Sequence, residues 1–70
     1  MADVAKVVTI IGHSPESFAK AADAAVQEAS KSIRNISGAD VVSMSANVEN
    51  GRISSYKTTV NIAFAVEGTD

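Results

Sequence analysis

The chain offers few side chains from which chemistry could be built. Its single histidine, His13, stands two residues ahead of Pro15, just before a helix-like pattern begins. There it reads as a solvated loop residue, with an anion contact near the helix N-terminus as the sharper alternative, because free N–H groups at a helix start attract phosphate or carboxylate. Gly12-His13-Ser14-Pro15 does not have the spacing of a phosphate-binding loop. Asp40, Glu49, Glu67 and Asp70 are too scattered to form a metal-ligand set within one segment and read as surface carboxylates. A symmetric assembly would change that, since an axis gathers one carboxylate from each of several copies into an oxygen-rich cation site. Met44 and Tyr56 read as core or interface packing residues, with the lining of a pocket as the alternative. No nucleophile, base and orienting group assemble at a recognisable spacing, so the sequence points to binding and away from catalysis.

The elements that must position these residues follow from periodicity. Ala5 to Ile11 is rich in β-branched residues and stops at Gly12, which predicts a first strand. Ser14 offers a hydroxyl cap and Pro15 suits the first helical position, where its missing N–H would be unpaired in any case. Phe18, Ala22, Ala25, Val26, Ala29, Ile33 and Ile36 then recur with the 3.6-residue period, opposite Lys20, Asp23, Gln27, Lys31 and Arg34. The expectation is one amphipathic helix of about 20 residues, with Glu16 pairing to Lys20 and with Asn35, Ser37 and Gly38 ending it. Ala39 to Val48 and Arg52 to Val66 are β-branched and alternating, joined through Asn50-Gly51, the pair that best tolerates the positive φ angles of a type I′ hairpin. In the last strand Tyr56, Thr58, Val60, Ile62, Phe64 and Val66 share the face that matches the helix stripe.

The fold class is therefore α+β in the order β-α-β-β: a three-stranded antiparallel sheet on one long amphipathic helix, in a single domain over residues 1–70. One helix covers one face only. The other face carries Val7 or Ile11 with Val42, Ala63 and Ala65, and the outer strand edges stay unpaired.

Composition states the same shortfall differently. Of the 70 residues 46% are apolar, but 12 are alanine, 15 are valine or isoleucine, and leucine is absent. Chains this small usually need disulfides, a metal or oligomerisation. With no cysteine and one histidine, self-association is the route left open. The net charge of −2, without a basic run or interleaved aromatics, sets against nucleic acid as a partner. No apolar stretch reaches membrane-spanning length and the start of the chain lacks the pattern of a signal peptide, so the expected compartment is the cytoplasm.

Four segments carry a resemblance. Ile11-Gly12-His13-Ser14-Pro15-Glu16-Ser17-Phe18 opens the helix, Ala21-Ala22-Asp23-Ala24 lies within it, Ala39-Asp40-Val41-Val42 starts the second strand, and Tyr56-Lys57-Thr58-Thr59-Val60-Asn61-Ile62-Ala63-Phe64 forms the third. Over Val7 to Glu67 the chain resembles the dodecins, small βαββ proteins that close into hollow cages of twelve subunits and commonly bind flavins. The resemblance implies a homododecamer that binds and stores a small molecule such as FMN or riboflavin, with Gly38, Asp40, Met44 and Lys57 at the ligand. Gly38 stands where flavin-binding members place a ring-stacking tryptophan, and Lys57 where they place a glutamine that bonds the ring's polar edge. Both replacements weigh against flavin held in the family manner. The alternative is a structural cage without flavin that holds a cation or another anionic cofactor such as coenzyme A.

Overall fold

A computed structural model describes residues 4–66. Strand β1 (Ala5–Ser14) leads into helix α1 (Phe18–Ser30), and β2 (Ile36–Glu49) and β3 (Arg52–Ala65) follow as a hairpin. The sheet order is β1-β3-β2, antiparallel throughout, so β3 is central and the other two strands are edges. Of the acidic residues considered from the sequence, Glu67 and Asp70 lie outside the described residues.

The Asn50-Gly51 turn forms as expected, with φ of 54° and 75° at its two residues. The alternation in β3 also holds. Thr58, Val60 and Ile62 are buried against α1, where Ala21, Ala25 and Ala29 form the contact stripe. Alanine there lets the helix approach the sheet closely.

Four expectations about the helix and its flanks are corrected. Strand β1 continues through Gly12 and His13 to Ser14, so His13 is a strand residue paired with Lys57 and not part of a loop. The helix cap is Ser17, whose Oγ accepts the Lys20 N–H at 3.0 Å, while Ser14 Oγ accepts the N–H groups of Glu16 and Ser17 and so stabilises the turn before the helix. The helix has 13 residues, not about 20, because after Ser30 the chain tightens through an Lys31 N–H to Glu28 O bond and leaves the helical path. Asn35, at φ 64°, makes the reversal expected of Gly38, and Gly38 lies inside β2. Ile33 and Ile36 still pack against the core, from the connecting segment and the start of β2, which is why they fitted the helical stripe.

The lengths of the elements explain the shape. A 13-residue helix spans about 20 Å, whereas each 14-residue hairpin strand spans nearly 48 Å. The helix begins near the Phe18–Tyr56 edge-on ring contact, centroids 4.9 Å apart, and ends over Ile62. From Tyr56 to the Asn50-Gly51 turn the hairpin projects beyond any helical cover. The chain accordingly measures 56 × 20 × 12 Å with a radius of gyration of 14.6 Å, against about 11 Å for a compact domain of this length. Its accessible surface of 5046 Å² exceeds the roughly 4,100 Å² expected of a compact monomer of its mass. The excess is apolar in large part: Val41, Val42, Met44, Val48 and Ile53 are all at least half exposed.

Candidate functional site

Residues directly opposite one another in an antiparallel sheet share a face. On the face away from α1 the register aligns the cross-strand rows Val7–Ala63–Gly38, Thr9–Asn61–Asp40, Ile11–Thr59–Ser43 and His13–Lys57–Ser45. Gly38, Asp40 and Lys57 therefore belong to one surface. Met44 does not, because it opposes Thr58, which is buried under the helix. The change of face between Asp40 and Met44 comes from the bulge at Val42, an extra residue between the Val41–Val60 and Ser43–Thr59 pairs.

The Thr9–Asn61–Asp40 row is ordered by a hydrogen bond of 2.7 Å from Thr9 Oγ1 to Asn61 Oδ1. That bond occupies the carbonyl of Asn61 and leaves its amide N–H groups available on the open face. Gly38 faces open space: a Cβ there would meet nothing within 4 Å. Lys57 has His13 on one side and Ser45 on the other. The sequence reading missed this His13–Lys57 juxtaposition because it ended the strand at Ile11; the signal was the period-two series Thr9, Ile11, His13 running past Gly12.

Distance separates the two positions that matter most. Lys57 pairs with Ser45 and Gly38 with Ala63, six residues further along β3, which is about 20 Å of strand. No single small ring reaches both within one subunit. Among the described residues of one chain, no group of three or more histidine, aspartate or glutamate side chains is placed to hold a metal ion.

Comparison with known proteins bears on this geometry. The dodecin family model matches residues 4–67, nearly the whole chain. The chain belongs to the dodecin family. A dodecin from Streptomyces davaonensis superposes with a TM-score of 0.90 at 24% identity, covering 97% of this chain and 100% of that one. A Thermus thermophilus protein matches with a TM-score of 0.92 at 25% identity, over 97% and 100% of the two chains. The calcium dodecin of Mycobacterium tuberculosis, described as a calcium-chelating antigen with a novel calcium-binding site, shares 35% identity over 96% of both chains with a TM-score of 0.78. No curated protein sequence matches the chain. As a dodecin, the protein is a self-assembling binder of small molecules, and its surplus apolar surface is what an assembling subunit has to bury.

Proposed function

We propose that twelve copies of this dodecin close into a cage that binds and sequesters a small molecule of the flavin type in the cytoplasm, without catalysing a reaction. The observation that carries the reading is the placement of Gly38, Asp40 and Lys57 on one sheet face, with Gly38 and Lys57 too far apart to share a ligand inside one subunit. A pocket that uses both takes Gly38 and Asp40 from one copy and Lys57 from another. Met44, on the opposite face, serves as an apolar contact in the assembly.

Glycine at 38 removes the stacking surface that a tryptophan would provide, a loss of about 0.5 to 1.5 kcal/mol beyond the lost area. Lysine at 57 adds a cation, which suits a phosphate. FMN is therefore the preferred flavin over riboflavin. Titrating the assembled protein into each and following flavin fluorescence tests this: quenching at micromolar protein, stronger for FMN, is expected, and unquenched fluorescence for both overturns the flavin assignment. The 35% identity to a calcium-chelating dodecin favours a second reading, a cage that gathers Asp40 carboxylates from several copies around a cation. Calorimetric titration with calcium separates the two, since a heat of binding lost in Asp40→Asn supports the cation reading.

A further inference from the structure

On the helix side of the sheet, past the last turn of α1, lies a recess of about 340 Å³ that the reading above does not use. Phe64 and Val66 lie on its strand side, Ile33 and Asn35 of the connecting segment on the other, and Lys6 and Arg34 complete it. We propose that this recess binds a small organic anion with an apolar body, an aryl or short acyl group carrying a carboxylate or phosphate.

The recess arises because α1 stops at Ser30 while β1 and β3 continue beneath it. Phe64, next in the row after the buried Val60 and Ile62, is left half-buried where another helical turn would have covered it. The wall is fixed to the strand: Asn35 takes its left-handed conformation and its carbonyl accepts the Ala65 N–H at 3.0 Å. A recess of this volume with an apolar lining and a few polar groups fits the size and character of small-molecule sites.

Charge selects the ligand class. Among the described residues, no carboxylate lines the recess. Lys20 and Lys31 each pair with a glutamate, at 3.4 and 3.1 Å, whereas Lys6 and Arg34 form no ion pair among the described residues. The C-terminal end of α1 offsets only about half a unit of positive charge, so among the described residues the two cations outweigh it. Lys6 is the cross-strand partner of Phe64, so their Cβ atoms stand roughly 5 Å apart on the helix side of the sheet. The guanidinium of Arg34 supplies the planar fork that suits carboxylate or phosphate.

The test uses the assembled protein and three probes: phenyl phosphate, inorganic phosphate and benzyl alcohol, followed by calorimetry and by saturation-transfer NMR of the ligand. Phenyl phosphate is expected to saturate and to bind at least tenfold more tightly than either of the others. Lys6→Gln/Arg34→Gln should weaken it at least tenfold, and Lys20→Gln, an exposed helix lysine outside the recess, should leave it unchanged. Both substituted residues are exposed, and if the double variant fails to assemble, the two single variants are titrated in its place. Absence of saturable binding, inorganic phosphate binding as tightly as phenyl phosphate, or variants with wild-type affinity would each overturn the proposal.

Discussion

Gly12 of β1 lies directly against the backbone of Ala21 in α1: a Cβ at position 12 would collide with the Ala21 carbonyl oxygen and come within 3.0 Å of the Ala25 nitrogen. Both obstacles are helix backbone, which cannot rotate aside as a side chain would. Gly12→Ala must therefore lift the helix off the sheet, and overpacking of this kind costs about 1–3 kcal/mol or more. The expected result is a lower denaturant midpoint and a smaller yield of assembled particle. An unchanged midpoint would mean that the helix sits further from β1 than it does here.

Ser17 and Ser14 divide the work at the start of the helix. Ser17→Ala removes the cap on Lys20 N–H and should cost about 1 kcal/mol, as cap losses typically do. Ser14→Ala takes the acceptor from two backbone N–H groups at a buried position, and should cost at least as much. Urea titrations of both variants check the order. A neutral Ser17→Ala alongside a costly Ser14→Ala would return the cap to Ser14, as the sequence pattern alone suggested.

Two glycines in the hairpin should behave oppositely. Gly51 has φ of 75°, a conformation that costs an L-residue about 1–2 kcal/mol, so Gly51→Ala is expected to destabilise by that amount. Gly38 meets no neighbour within 4 Å, and Gly38→Ala should be close to neutral. The same open space accommodates Gly38→Trp, which should increase FMN affinity by about tenfold if stacking is what the natural residue lacks. Fluorescence quenching measures the gain, and no gain would place the ligand away from this position.

Much of the architecture was legible from local pattern. The Asn50-Gly51 pair needs only its own backbone to specify a turn, and the alternation from Thr58 to Ile62 needs only the sheet's two-residue period. The ends of the helix were not legible in this way. Ser14-Pro15 and Ser17-Phe18 are both acceptable helix starts, and the choice fell to a long-range bond, Thr58 Oγ1 to the Phe18 carbonyl at 2.8 Å, together with the pairing of Ser14 to Tyr56. Ile33 and Ile36 kept the helical period because they cover the same core from outside the helix. For the candidate site, the types of Gly38, Asp40 and Lys57 could be read from the sequence, but their common face could not. That depends on the bulge at Val42, which puts Met44 on the opposite side, and no residue in the sequence announces it.

The last prediction concerns the uncovered part of β2. Val41 pairs with the fully buried Val60, and Met44 with the buried Thr58, so both lie on the helix side of the sheet, yet they are 54% and 58% exposed because α1 lies mainly over β1 and β3. Burying such side chains fully is worth about 1.5–3 kcal/mol each, and a lone chain forgoes it. If assembly supplies that burial, a charge at Val41 has to enter an apolar contact without a partner, at a cost of several kcal/mol per subunit. Val41→Lys should then abolish the proposed twelve-subunit particle, about 86 kDa for a 7.2 kDa chain, and leave small, poorly folded species, whereas Val41→Ile should retain it. Light scattering after size exclusion reads the mass, and circular dichroism the folding. A Val41→Lys protein that still assembles at full mass would place the subunit contact elsewhere, on the face that carries Val7 and Ile11.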